Sequence, residues 1–468
     1  MTRLTLRIFL AFFWVSVFPA RIPAASAADA VFLINGTVVA PDRVIPNGWL
    51  AIQDGKILSI TVARPDIAGA RTLTTEDIIF PGFVDLHNHP LYAVFPRWKA
   101  PRIFANRYQW RGEPAYHQTI QTPEGELVST HFCDMDTYVE IKALAGGTTS
   151  ILGIYQPADT PTVPPCVAGL ARNLDWASGF YGAGVGNERL GNILGVRPED
   201  LKLSAVDVER HRAGGFDLVA VHVAEGQRTD AASQGEFSEL EALGLLNAKT
   251  VVIHGGGLVE EDFAKLRRAE AAFIWSPRSN FELYGQTADI SAAVRQNVTM
   301  ALAPDWSPTG SANMLAEIAY AKSVSDRQFA GLLSAKQLFE MATIVPARIA
   351  RIDDKVGSLA AGLRADLFLL RSDVANPFDA LAGAAPQDVT LTMVDGKPVY
   401  GALGYLTALG VSDVDGVTMC GTARAINRAA LPAGGFTGVT TRLSDALTAK
   451  NIRLAGLAEC AEETIAKP

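Results

Sequence analysis

At 468 residues, with 49% hydrophobic and 19% charged residues, the chain is long enough for two or three domains and too apolar for overall disorder. Its formal charge of −8 argues against nucleic acid or an anionic lipid surface as a partner and leaves a small neutral or cationic substrate as the expectation.

Arg3 and Arg7 precede an apolar run from Ile8 to Phe18, then Pro23 and the small-residue pattern Ala25-Ser26-Ala27. This reads as a secretory signal peptide over 1–27, because the run falls short of the ~20 residues that span a bilayer. A periplasmic or secreted protein, free of the membrane after cleavage, is expected. Removing the three Arg of that segment would take the formal charge to −11.

From residue 28 to 79 short alternating pieces (Val31 to Ile34, Thr37 to Val39, Trp49 to Ile52, Ile57 to Ile60) are split by Asn35-Gly36 and Asp54-Gly55, both hairpin-turn signals. The same vocabulary returns over 355–405, in Leu363 to Leu370 and Val389 to Lys397. Both stretches are expected to build one β-sandwich domain around an inserted barrel at 80–354, with a C-terminal extension at 406–468.

The run Phe80-Pro81-Gly82-Phe83-Val84-Asp85-Leu86-His87-Asn88-His89-Pro90 reads as a buried strand bounded by prolines. Strand alternation sends His87 and His89 to one face, where two imidazoles can grip one ion. Between Leu91 and Asp134 lies a long segment without clear periodicity, rich in aromatic and basic residues, among them Trp98, Arg107 and Trp110. It is expected to be irregular and to form a lid or pocket wall.

Downstream, helix and strand signals alternate as a parallel α/β architecture requires. A helix is expected over 136–145, then strands at 148–154, 179–185, 217–223, 250–254, 271–275 and 298–303, with helices at 236–246, 260–269 and 312–324. With the opening strand this makes seven, and the eighth is expected between Asn187 and Gly215. Polar side chains gather at the strand ends: His222 with Glu225 beyond it, His254 before Gly255-Gly256-Gly257, and Asp305 after Ala303-Pro304. In a (β/α)8 barrel that end carries the chemistry.

The order His-x-His, His-x-x-Glu, His, Pro277-Arg278-Ser279-Asn280, Asp resembles the amidohydrolase superfamily, in particular its single-metal branch of cytosine/adenosine-deaminase-like and triazine-hydrolase-like enzymes. Pro81-Gly82-Phe83-Val84-Asp85, Gly147-Thr148-Thr149-Ser150 and Gly357-Ser358-Leu359-Ala360-Ala361-Gly362 extend the likeness over nearly the whole mature chain. The resemblance implies a TIM-like (β/α)8 barrel with a two-ended β-sandwich domain. It also implies one divalent ion, Zn or Fe(II), held by His87, His89, His222 and Asp305. Three imidazoles, a carboxylate and an open position suit such an ion, which activates water at near-neutral pH. Glu225 would then carry protons to the substrate nitrogen, His254 would orient the attacking water, and Asp305 would accept its proton. Two-metal branches use a bridging lysine at a strand end, and Lys202 and Lys249 are not so placed. Trp98, Arg278, Asn280 and Trp306 are the expected substrate contacts, with Arg278 suited to a substrate carboxylate or phosphate. His117, His131 and His211 have no partner at metal spacing.

The expected activity is hydrolysis of a C–N bond in an amide, cyclic amidine or aminated heterocycle. Dechlorination, and a barrel that only binds its small molecule, are the alternatives; a homo-oligomer is left open. Cys133, Cys166, Cys420 and Cys460 lack metal-site spacing and allow three disulfide connectivities, of which Cys420 with Cys460 is expected because both lie outside the barrel.

Overall fold

The structure is a computed structural model, which describes residues 30–153, 166, 170–175, 194–195, 205–216 and 218–460. The signal segment expected at 1–27 and the strand expected at 179–185 lie outside them. The strands are β1 (Phe32–Val39), β2 (Val44–Gln53), β3 (Lys56–Thr61) and β4 (Arg71–Pro81), then β5 (Phe83–Asp85), β6 (Thr148–Ile151), β7 (Arg172–Asn173), β8 (Leu194–Gly195), β9 (Val219–Val223), β10 (Thr250–His254), β11 (Ala272–Trp275) and β12 (Thr299–Leu302). After the barrel come β13 (Leu367–Leu370), β14 (Val389–Val394), β15 (Lys397–Gly401), β16 (Val414–Met419) and β17 (Thr422–Asn427).

The two chain ends form one nine-stranded sheet in the order β16-β17-β15-β14-β13-β4-β1-β2-β3. The halves join where β13 runs antiparallel to β4, Leu367 opposite Pro81 and Leu370 opposite Ile78. Asp54-Gly55 turns β2 into β3, both residues at positive φ, as a tight hairpin needs. Asn35-Gly36 is not the expected turn. It lies inside β1 at a register shift, where a Cβ on Gly36 would stand 2.6 Å from the Asp77 carbonyl, and Asn35 Nδ2 donates to the Asn47 and Gly48 carbonyls. The glycine serves close strand approach rather than chain reversal. Part of the stretch expected as a C-terminal extension continues the sheet as β16 and β17, and the helix Gly435–Thr448 follows.

β5 to β12 are the barrel. Neighbours pair in parallel within β5-β6-β7 and β8-β9-β10-β11-β12, and an Asn88–Asp305 bridge joins the ends of the first and last strands. The third strand seen is Arg172–Asn173, and Leu194–Gly195 falls in the interval where the unplaced eighth was expected. Alternation sorts the side chains into two layers. Val84, Leu86, Leu218, Ala220, Val251, Ile253, Ala272, Ile274, Ala301 and Ala303 share one buried cluster, drawn from strands around the barrel and therefore its interior. Val219, Val221, Val223 and Val252 belong to the other, which includes the surrounding helices.

The segment from Leu91 to Asp134 is not irregular. It holds a short 3-10 turn at Pro90–Val94, the helix Arg107–Arg111, a π-turn at His117–Gln121 and the first half of a long helix, Thr122–Leu144, bent at His131. That helix starts well before the expected Asp136. Gly125, Ser129, Thr130 and His131 interrupt any apolar stripe over its first turns, so periodicity could not reveal it.

Cys420 is bonded to Cys460 as expected, and Cys133 to Cys166. No helix among the described residues is long and apolar enough to cross a membrane.

Candidate metal and active site

The opening strand is shorter than the sequence implies. Phe80 and Pro81 belong to β4 of the sheet, Gly82 separates the domains, and β5 ends at Asp85, so His87 and His89 follow the strand rather than sit on it. Gly82 is required there because a Cβ would meet Thr149 Oγ1 at 2.2 Å. Two backbone hydrogen bonds lace this turn to the end of the last strand: His89 N to Asp305 O, 2.8 Å, and Asp305 N to His87 O, 3.2 Å.

His87, His89, His222, His254 and Asp305 converge. His87 Nε2 is 3.4 Å and His89 Nε2 3.6 Å from Asp305 Oδ1. The His222 ring centre lies 5.1 Å from His87, 5.5 Å from His89 and 5.3 Å from His254. Donor atoms of His87, His222 and His254, and of His87, His89 and Asp305, each fall within 4.8 Å of one another. All but His89 are buried. His254 reaches the cluster against strand alternation, which would send it outward with Val252. Its left-handed backbone, φ 71°, re-aims it, and Asp305 has φ 67°.

The site fits a divalent cation. His87 Nε2 is buried and lacks a hydrogen-bond partner. Burial first, and then its neighbours His254 and His89, hold His87 well below the usual imidazole range; burial does the same to His222, so both are neutral nitrogen donors. Burial first, and Glu225 next, push Asp305 well above the carboxylate range. Packing this acid with neutral imidazoles is costly without a positive charge among them.

One short helix orients the set. Ser276, just before the helix Pro277–Tyr284, meets His87 Nδ1 at 3.2 Å; Ser279 hydrogen-bonds Asp305; Asn280 Oδ1 accepts from His254 Nδ1 at 2.9 Å; and Tyr284 donates to Glu225 Oε1 at 2.5 Å. The spacing 276, 279, 280, 284 is one face of a helix. Trp275 Nε1 and Asn280 Nδ2 both donate to Thr287 Oγ1, which fixes the Asn280 oxygen toward His254. His254 therefore carries its proton on Nδ1 and turns a lone pair inward at Nε2.

Glu225 is buried, with Oε2 3.9 Å from His254 Nε2 and 4.0 Å from Arg107 Nη1. Its loop pairs with the lid. Arg107 N donates to Glu225 O (3.1 Å), Gln227 N donates to Ala105 O (2.7 Å), and Asn106 and Gly226 form an antiparallel bridge. Glu236 backs the same turn, accepting from Ala224 N at 2.7 Å and from the Tyr108 hydroxyl. The glycines after His254 serve this packing, since a Cβ on Gly256 would stand 2.3 Å from the Gly226 carbonyl.

Of the expected substrate contacts, Trp306 follows Asp305 and packs edge-on against Tyr92 and tilted against Trp110, ring centres 5.5 and 5.6 Å apart. Trp98 stacks on Phe104 and tilts against Tyr116, inside the lid. Asn280 is turned to His254 and Thr287, and Arg278 pairs at 2.8 Å with Glu459 of the C-terminal segment. His211 is buried, with Nε2 2.9 Å from the Leu245 carbonyl. The sequence reading gave no role to Ser276 or to Tyr284, although Tyr284 stands beside the site in sequence; it placed Trp110 only within the lid and missed Glu459. The i, i+3, i+4, i+8 spacing from Ser276 was the available signal for the first two; the others depend on long-range folding.

Residues 217–399 match the model of the amidohydrolase family. The 5-methylthioadenosine/S-adenosylhomocysteine deaminase of Caldanaerobacter subterraneus is 22% identical over 403 residues, 78% of this chain and 91% of its own length. The 5'-deoxyadenosine deaminase of Methanosarcina acetivorans is 23% identical over 75% of this chain and 88% of its own. Among solved structures, an adenosine deaminase from Xanthomonas campestris with bound zinc superposes with a TM-score of 0.67 at 19% identity, over 91% of this chain and 99% of that one. A zinc complex of an atrazine chlorohydrolase mutant from Arthrobacter aurescens gives 0.60 at 18% identity, over 79% and 95%. With its barrel, its two-ended sheet and the match over residues 217–399, the chain is similar in sequence and in fold to the amidohydrolase family.

Proposed function

We propose that the protein is an exported, metal-dependent deaminase that hydrolyses the exocyclic C–N bond of an aminated heterocycle, releasing ammonia. The observation that carries the reading is the meeting of His87, His89, His222 and Asp305 beside a buried Glu225. These four residues would hold one divalent ion, for which the zinc in the solved likenesses is the first choice. When bound, such an ion supplies Lewis acidity and brings water's pKa to ~7.

The chain's own groups do the rest. Asn280 fixes the tautomer of His254 and Ser276 holds the His87 ring in place, so neither ring must reorient during turnover. The inward lone pair of His254 Nε2 accepts a hydrogen bond from the water that adds to carbon. Asp305 takes a proton from that water, and Glu225 delivers one to the nitrogen that leaves. Trp306, Tyr92 and Trp110 offer aromatic surface on the His89 side, suited to a flat ring. Arg107 and Arg278 are both engaged by internal carboxylates, which supports a neutral or cationic substrate over an anionic one. The N-terminal pattern and two disulfides support export.

The test is ammonia release by zinc-loaded mature protein from 5'-methylthioadenosine, S-adenosylhomocysteine, 5'-deoxyadenosine, adenosine and guanine, with chloride release from atrazine measured beside it. Turnover of an aminated heterocycle that is lost in Glu225→Gln with metal retained is expected. Chloride release alone would replace deamination by dechlorination, and a metal-loaded protein that binds but turns over none of these would be a binding protein.

A further inference from the structure

Glu225 does not stand alone in its pocket. Tyr284, buried at the end of the helix that orients the histidines, donates to its Oε1 at 2.5 Å, and Trp110 of the lid donates to the Tyr284 oxygen at 2.7 Å. The direction of this chain is set by chemistry. An indole N–H can only donate, so the Tyr284 oxygen is its acceptor and the single phenolic hydrogen is left for Glu225. Oε1 is thereby always an acceptor. On the other side, His254 turns a lone pair toward Oε2 from 3.9 Å, because its Nδ1 proton is committed to Asn280.

We infer that Tyr284, anchored by Trp110, is a positioning residue for the Glu225 carboxylate, and that it makes Oε2 the oxygen that carries the proton to substrate. Resting on the deaminase reading, the inference gives the lid a part in proton transfer. In each cycle Oε2 gives its proton to the departing nitrogen and regains one originating from the added water, so Glu225 ends as it began. Without Tyr284 the proton is free to settle on either oxygen, half of the protonated molecules would present the wrong one, and the carboxylate could turn about its last torsion.

The substitutions Tyr284→Phe and Trp110→Phe, singly and together, test this in the full-length mature protein with 5'-methylthioadenosine and the other deaminase probes above. Tyr284→Phe is expected to lower kcat about 10- to 100-fold with KM within threefold and full metal content. Trp110→Phe should cost less, and the double variant no more than Tyr284→Phe alone. A kcat within twofold of wild type for Tyr284→Phe, or effects that multiply in the double variant, would overturn the inference.

If wild type deaminates no probe, the deaminase reading has failed, and the hydrogen-bond chain is decided separately by the indole N–H resonance of Trp110 in protein carrying nitrogen-15 tryptophan. That resonance should move in Tyr284→Phe and also in Glu225→Gln, two bonds away. If it stays in place in Glu225→Gln, the chain is not connected and the inference falls.

Discussion

Gly226 is the point at which the lid touches the Glu225 loop, and Gly226→Ala tests that joint. A Cβ there would lie 2.2 Å from Ser233 Oγ, 2.5 Å from the Ala105 carbonyl and 2.9 Å from Asn106 Cα. Two of these are backbone atoms, which cannot rotate away, so the segment Ala105-Asn106-Arg107 must lift from the Glu225 loop. The loss includes Arg107 N to Glu225 O and Gln227 N to Ala105 O. Overpacking costs about 1–3 kcal/mol, and each hydrogen bond contributes about 0.5–1.5 kcal/mol. Part of this is relieved by local opening, which leaves about 2–3 kcal/mol against the closed lid, or about 30- to 150-fold faster amide exchange at Arg107 and Gln227. Gly235→Ala is the control. Nothing lies within 4 Å of its Cβ and it sits inside the helix Ala231–Ala242, so the same substitution should stabilise by about 0.5–1 kcal/mol. Exchange mass spectrometry of both variants reads the difference. Exchange at Arg107 and Gln227 within threefold of wild type in Gly226→Ala would show that the lid does not rest on the Glu225 loop.

His87→Ala and Asp305→Asn should each lower bound zinc, measured by elemental analysis after dialysis, from about one equivalent to well below it. Asn280→Ala, whose side chain bonds His254 and Thr287 and none of the four proposed ligands, should keep the metal. Loss of the Cys420–Cys460 bond, by Cys420→Ser with Cys460→Ser, releases a closed loop of 40 residues and should cost about 3–4 kcal/mol in denaturant titration. An unchanged midpoint would mean that the C-terminal segment is not held in the native state by that bond. Asp136 and Glu140 lie one turn apart on the helix Thr122–Leu144, buried, and burial pushes Asp136 up to about 8. An unfolded Asp releases its proton near 3.8, so between about pH 4 and 8 the folded state binds more protons and stability falls as pH rises. Asp136→Asn should weaken that decline and gain most at pH 8; an identical slope in urea titrations at pH 5 and 8 would refute the assignment.

Which parts of this were legible in the sequence follows from the range of the forces involved. Alternation of apolar residues is local, so β9, β10, β11 and β12 could be read close to where they lie, together with the acid and imidazoles at their ends. The turn chemistry of Asp54-Gly55 is local too. Asn35-Gly36 carried the same signal and meant something else, because the need for glycine came from the neighbouring β4 and not from the chain's own direction. His254 lies in the cluster although its strand's alternation points it away, since a left-handed turn is invisible to a period of two. Arg278 shows the opposite failure. Its place beside the site was readable, but its partner Glu459 is 181 residues further on, and no local pattern announces an ion pair of that kind.

That distant partner belongs to a wider dependence of the site on the chain's end. The lid between Pro90 and Gln121 has only short helices and must be ordered by what surrounds it, against a backbone entropy cost of about 1–2 kcal/mol per residue. One side is supplied by the Glu225 loop and Tyr284. The other is supplied by the C-terminal segment: Ala455 N donates to Val94 O at 2.9 Å, Glu459 pairs with Arg97 at 2.9 Å as well as with Arg278, and Arg442 holds Asp134 at 2.6 Å. Cys460 follows Glu459 directly and is tied to Cys420 beside the edge of the sheet. The disulfide therefore lies in the mechanical path from the sheet, through Glu459 and the lid, to Trp110 and Glu225. The Cys420–Cys460 bond thus supports the wall of the pocket in which Glu225 is held.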